Sequence, residues 1–166
     1  MANFTSHAIM ANILYNKLKD NNKFNIKINK DKFKLFSYGQ DLSFVNFNFF
    51  HETHENKSKQ FFMETIKYIY NHKLQYNSDV MAYLYGHIAH YALDVCTHSF
   101  IASAISGVNK EGILKPHTII ECDFDRYLIN KYGYDHKYLK VKNLKGVKEL
   151  VNNTYRSVYN EYNTYN

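Results

Sequence analysis

Apolar positions recur at helical spacing in several separate stretches of the chain. Over residues 5–19, Ile9, Met10, Ile13, Leu14 and Leu18 fall on one side, with Thr5 or Ser6 placed to cap the first turn. Residues 58–72 predict a second helix, with Phe61, Phe62, Ile66, Ile69 and Tyr70 facing inward and His72 as a cation at its C-terminal end. The longest predicted helix runs from about 78 to 105, with Ser78 as its cap. Another covers 116–131. It opens at Pro116, a residue suited to a first helical turn, and ends before Gly133. Residues 144–162 predict a last amphipathic helix with Val147, Leu150, Val151, Tyr155 and Val158 on its apolar face.

The stretches between these follow other patterns. Residues 20–34 are rich in Lys, Asn and Asp, with Phe24, Ile26 and Ile28 in alternation, which predicts a short strand or an ordered loop rather than a helix. Gly39 marks a turn with Asp41 just beyond it, placed to cap the next helix. "VNFNFFHETHEN" over 45–56 reads as a loop in which His51 and His54 flank Glu52. "SGVNKEG" after the long helix is a second loop. "YGYDHKYLKVKN" is irregular, and its His136 has no partner by spacing. There is no internal repeat.

The long helix carries the candidate chemistry. In "GHIAHYALDVCTHSF", His90, Asp94 and His98 are spaced by four, and at about 100° per residue they share one face. His87 falls one turn before His90. Around them stand Met81, Ala82, Leu84, Ile88, Ala89, Ala92, Leu93, Val95, Phe100 and Ile101, which predicts a buried helix with a narrow polar stripe. Unpaired ionisable groups are costly to bury, and a metal ion satisfies several imidazoles and carboxylates at once. On the next helix His117 and Glu121 are i, i+4 neighbours. Together the two helices offer five metal-type ligands.

These phrases, "GHIAHYALDVCTHSF" and "HTIIECDFD", resemble the zinc-dependent phospholipase C family, whose fold is shared with the S1/P1-type nucleases. The likeness extends more weakly to "TSHAIMANIL" and "SYGQDLSF". It implies an all-α, compact multi-helix bundle holding one to three zinc ions. By the resemblance, one zinc would take His54, His90 and Asp94, with His51 as the alternative loop ligand. A second would take His98, His117 and Glu121, and a third would involve His7, with Asp94 bridging toward it. Asp41 would be the general base or a water-positioning group. His87 and Asp125 would support the ligands or substitute for one; a salt bridge from Asp125 to Arg126 or Lys131 is the plainer alternative. Most members have five residues between the ligands equivalent to Asp94 and His98. This chain has three, which keeps both on one regular helix. The activity implied is hydrolysis of a phosphodiester, with a phospholipid as the family's usual substrate and a hydroxide generated on zinc as nucleophile. The rivals are a nuclease-like phosphodiesterase and a metal-stabilised helical protein without turnover.

Composition narrows this only a little. At 166 residues the chain has the length of one domain, 1–166, and shows no strand pattern for a C-terminal membrane-binding domain. The formal charge of +6 admits a phosphate-bearing partner, but the lysines are scattered among asparagines, so nucleic acid is not favoured. Cys96 and Cys122 form no zinc or disulfide pattern. Cys96 lies opposite the polar stripe, and both are expected in the core. No signal peptide or transmembrane run is visible, which predicts a cytoplasmic protein.

Overall fold

A computed structural model describes residues 4–21, 27–39, 41, 57–106, 116–133 and 144–159. Six helices and no strand occur among them: α1 (Phe4–Asp20), α2 (Lys30–Phe36), α3 (Ser58–Asn71), α4 (Ser78–Ala104), α5 (Pro116–Tyr132) and α6 (Lys145–Tyr159). The architecture is all-α, as expected. The loop of 45–56 with His51 and His54, the segment around His136, and Phe24 and Ile26 lie outside the described residues.

The 27-residue α4 is the axis of the fold, with α1, α2, α3, α5 and α6 all packed against it. Its N-cap is Asn77, not Ser78; the Asn77 side chain accepts from the backbone N–H groups of Asp79 and Val80. Helix α2 begins at Lys30, inside the stretch 20–34 where no helix was expected; of the alternating residues only Ile28 is described, and it lies in the non-helical lead-in to α2. Asn29 caps it by accepting from Lys32 N, and Lys32 Nζ reaches back 2.5 Å to Asp79 Oδ2 on α4. That pair lets a lysine be buried, and Phe33 and Phe36 bury beside it. Gly86 allows the close approach of α2 to α4: a Cβ there would stand 2.6 Å from Phe36 Cβ.

The main core gathers Phe61 and Ile69 of α3, Val80, Tyr83 and Leu84 of α4, and the α6 face. Val147, Leu150, Val151, Tyr155 and Val158 are all buried, as the spacing predicts, and Tyr159 joins them. On α3 the buried row is Phe61, Thr65 and Ile69, while Ile66 and Tyr70 turn outward, against expectation. Thr65 tolerates burial because its Oγ1 donates to Phe61 O at 2.8 Å. From its middle onward α4 is also less buried than its composition suggests: Tyr91, Val95 and Phe100 are exposed, as is Ile88 just before them. Cys96 and Cys122 are exposed rather than core, because the flanks of α4 and α5 that carry them face solvent. Among the described residues no helix is long and apolar enough to cross a membrane.

Candidate metal centre

Among the described residues, two groups of ligand-type side chains stand at α4, one inside the protein and one at its surface. The inner group begins with His7, in the first turns of α1 and 1% exposed. Its ring stacks on that of His90, centroids 4.3 Å apart, and Asp94 stands one turn further along α4. His7 Nε2 lies 3.3 Å from Asp94 Oδ1, and His90 Nε2 lies 3.4 Å from Asp94 Oδ2. The turn after α2 adds Asp41, whose oxygens stand 3.7 Å from His7 Nε2 and 3.9 Å from His90 Nε2. Gly39 makes this assembly possible. It has φ +53°, and a Cβ on it would fall 2.3 Å from His90 Cγ.

This inner set fits a divalent cation. Protonated, the stacked imidazoles would repel each other. Neutral, they would leave two carboxylates in a buried space. A metal ion removes both difficulties. Ligand atoms placed tetrahedrally at ordinary zinc distances stand roughly 3.3 Å apart, and the two shortest nitrogen–oxygen separations here are 3.3 and 3.4 Å. Burial pushes the Asp94 carboxyl pKa up, but the His7 contact and the charges of His90, His7 and His98 outweigh it and hold it down at about 2.

The outer group is His98, His117 and Glu121, whose ligand atoms lie within 4.8 Å of one another. His117 Nε2 is 2.9 Å from Glu121 Oε1, and the His98 and His117 rings meet edge to face at 5.4 Å. His98 is exposed and His117 half-buried, so this set opens to solvent. Burial lowers the His98 pKa, and the nearby Asp94 charge opposes the shift. Asp94 thus acts electrostatically on both groups.

With two sets of zinc-type donors converging on one helix, the family is decided by the whole chain. The model of the zinc-dependent phospholipase C family matches residues 6–165. The chain belongs to the zinc-dependent phospholipase C family. Among curated proteins and among solved structures, none matches it. The family's metal is zinc, and its chemistry is that of a phospholipase C-like hydrolase.

Several of the residues named by the resemblance stand together in this family member. His98, His117 and Glu121 form one group, and His7 stands with His90 and Asp94, with Asp41 beside them. His51 and His54 lie outside the described residues. His87 is buried apart from both groups, among Phe36, Phe61 and Tyr83, with its Nδ1 2.9 Å from Tyr83 O. Burial lowers its pKa to about 4. Asp125 does not pair with Arg126, which bonds Asp123 instead. It accepts from the backbone N–H of Ser6 at 3.1 Å, and from the Ser6 hydroxyl, tying α5 to α1 beside His7. The sequence marks Ser6 only as a possible cap. No local spacing links it to a residue 119 positions away.

Proposed function

We propose that the chain is a zinc-dependent phosphodiester hydrolase that reacts at the open His98–His117–Glu121 mouth, with the buried set beneath it as a second metal position. The observation that supports this most is the pairing of one open and one closed donor set around Asp94. A catalytic zinc site keeps a position for water or substrate, whereas a structural site is closed by protein ligands. Zinc, when bound, supplies a Lewis acid that lowers the pKa of water to about 7 and offsets charge growing on phosphate oxygens.

The chain's own groups prepare this site. Asp94 stays ionised at any working pH and balances positive charge shared between the two sets. Glu121 and His117 bring Oε1 and Nε2 within 2.9 Å of each other, so both present a ligand atom to the same mouth. Asp41 is 3% exposed and faces His7 and His90, which favours a place within the buried ligand set over direct contact with substrate. A proton accepted by Asp41 would come from inside that set. A phospholipid is the substrate class that family membership favours.

Hydrolysis of phosphatidylcholine and of a nitrophenyl phosphodiester tests the reading. Zinc-loaded wild type should turn over at least one of them, and His98→Ala should lower the rate by about 10²-fold or more. Asp41→Asn should lose zinc from the buried set together with activity. If it kept full zinc and lost only rate, Asp41 would instead be the base. The second reading is a metal-stabilised protein without turnover, favoured by the closure of the inner set. A zinc-loaded chain inactive on every diester tried would establish it.

A further inference from the structure

Helices α3 and α4 leave apolar side chains in solvent on adjoining stripes. On α3, Ile66 is 51% exposed and Tyr70 80% exposed, spaced by four and continuing the row begun by Phe62. On α4, Ile88, Tyr91 and Val95 are exposed. The Phe62 and Tyr91 rings meet at 5.7 Å and join the two stripes into one surface. At helical spacing Tyr91 and Val95 stand only about 20° and 60° from His98, so the surface runs along α4 to the open donor set. Beside it on α3 runs a second row spaced by four, Lys59, Met63 and Lys67, all exposed. Among the described residues Lys67 has one carboxylate near it, Glu64 at 3.6 Å, a contact too exposed to neutralise the row.

We propose that this surface docks on a lipid bilayer carrying anionic lipid. The proposal rests on the hydrolase reading above and extends it, because it says how a lipid headgroup reaches the mouth. Three features select a bilayer over a protein. Exposed aliphatic side chains on a helix flanked by lysines are the pattern of a helix lying in the membrane interface, apolar face down and cations at the headgroups. Tyrosine rings, here Tyr70 and Tyr91, settle at that depth. The formal charge of +6 adds attraction to an anionic leaflet. With Ile66 and Val95 immersed and the Tyr91 ring at the interface, His98, about 20° from Tyr91 around α4, and its neighbour His117 lie at headgroup level. A phosphodiester then enters the mouth while the acyl chains stay in the bilayer.

Cosedimentation of the zinc-loaded chain with phosphatidylcholine vesicles, with and without phosphatidylserine, is the test. Wild type should bind the mixed vesicles, and binding should weaken with added salt. Met63→Glu/Ile66→Glu changes two exposed side chains that belong to neither described donor set, so the fold and the rate on a soluble nitrophenyl diester should stay as in wild type. Vesicle binding should fall at least about tenfold. Lys59→Glu/Lys67→Glu should remove the preference for phosphatidylserine. Wild type that sediments no better than Met63→Glu/Ile66→Glu overturns the proposal. So does a wild-type dimer that this double substitution dissociates, since a second copy then covers the face. A chain that binds vesicles through Met63 and Ile66 yet hydrolyses no diester keeps the docking and defeats the hydrolase. A chain active on the soluble diester but indifferent to vesicles does the reverse.

Discussion

Gly39 and His87 show how single residues set the site and the core. Gly39 combines a left-handed backbone with a close approach to the His90 ring. Gly39→Ala carries a backbone cost of about 1–2 kcal/mol and must also move His90. We expect lower thermal stability and weaker zinc retention by the buried set, measured by melting and by competition with a chelator. The same substitution at Gly133, also at positive φ but with open space for a Cβ, should leave zinc retention unchanged. His87 has a different role. Its folded pKa of about 4 lies below its ordinary 6.5, so it is neutral in the fold at neutral pH. Between those values the unfolded chain binds the extra proton, and stability therefore falls as pH drops through the window; above 6.5 the penalty vanishes. Between pH 7 and pH 5 this amounts to about 2 kcal/mol. Zinc-free His87→Phe should lose that much less stability than zinc-free wild type over the same interval in urea unfolding. Equal losses would show that His87 does not titrate as a buried group.

At the scale of elements, the fold depends on ties between helices far apart in sequence. Asp125 on α5 accepts from Ser6 on α1, next to His7. Asp125→Ala leaves the buried Ser6 N–H without its acceptor, a cost of about 1–3 kcal/mol. Asp125→Asn keeps an acceptor oxygen and should recover most of it. Denaturant midpoints of the two variants decide the point, and equal midpoints would remove the tie from the account. Such ties also mark what could be read from sequence. Helices α1, α3, α4, α5 and α6 were legible because their apolar spacing is local. Helix α2 was not: it buries Lys32, which is intelligible only once Asp79 of α4 is beside it. Thr65 took the inward place expected of Ile66 because its hydroxyl is satisfied by its own helix. Cys96 was placed by a helical wheel that assumed α4 to be buried all round, whereas the C-terminal half of α4 lies at the surface. The donors on α4 and α5 were legible from their spacing by four. The stacking of His7 on His90 was not, because nothing local joins positions 83 residues apart.

For the whole molecule, the account makes α4 the common wall of two metal positions, one closed and one open. Residues from α1, the turn after α2, α4 and α5 converge there, so metal binding should hold four parts of the chain together. Removing zinc should then lower the melting temperature of wild type. His98→Ala should lower zinc content while leaving the inner set of His7, His90 and Asp94 occupied. The most direct measurement is the zinc-to-protein ratio of the purified chain after zinc reconstitution and gentle dialysis. The account predicts about two zinc ions per chain, falling to about one in His98→Ala. A ratio near zero in reconstituted wild type would contradict it.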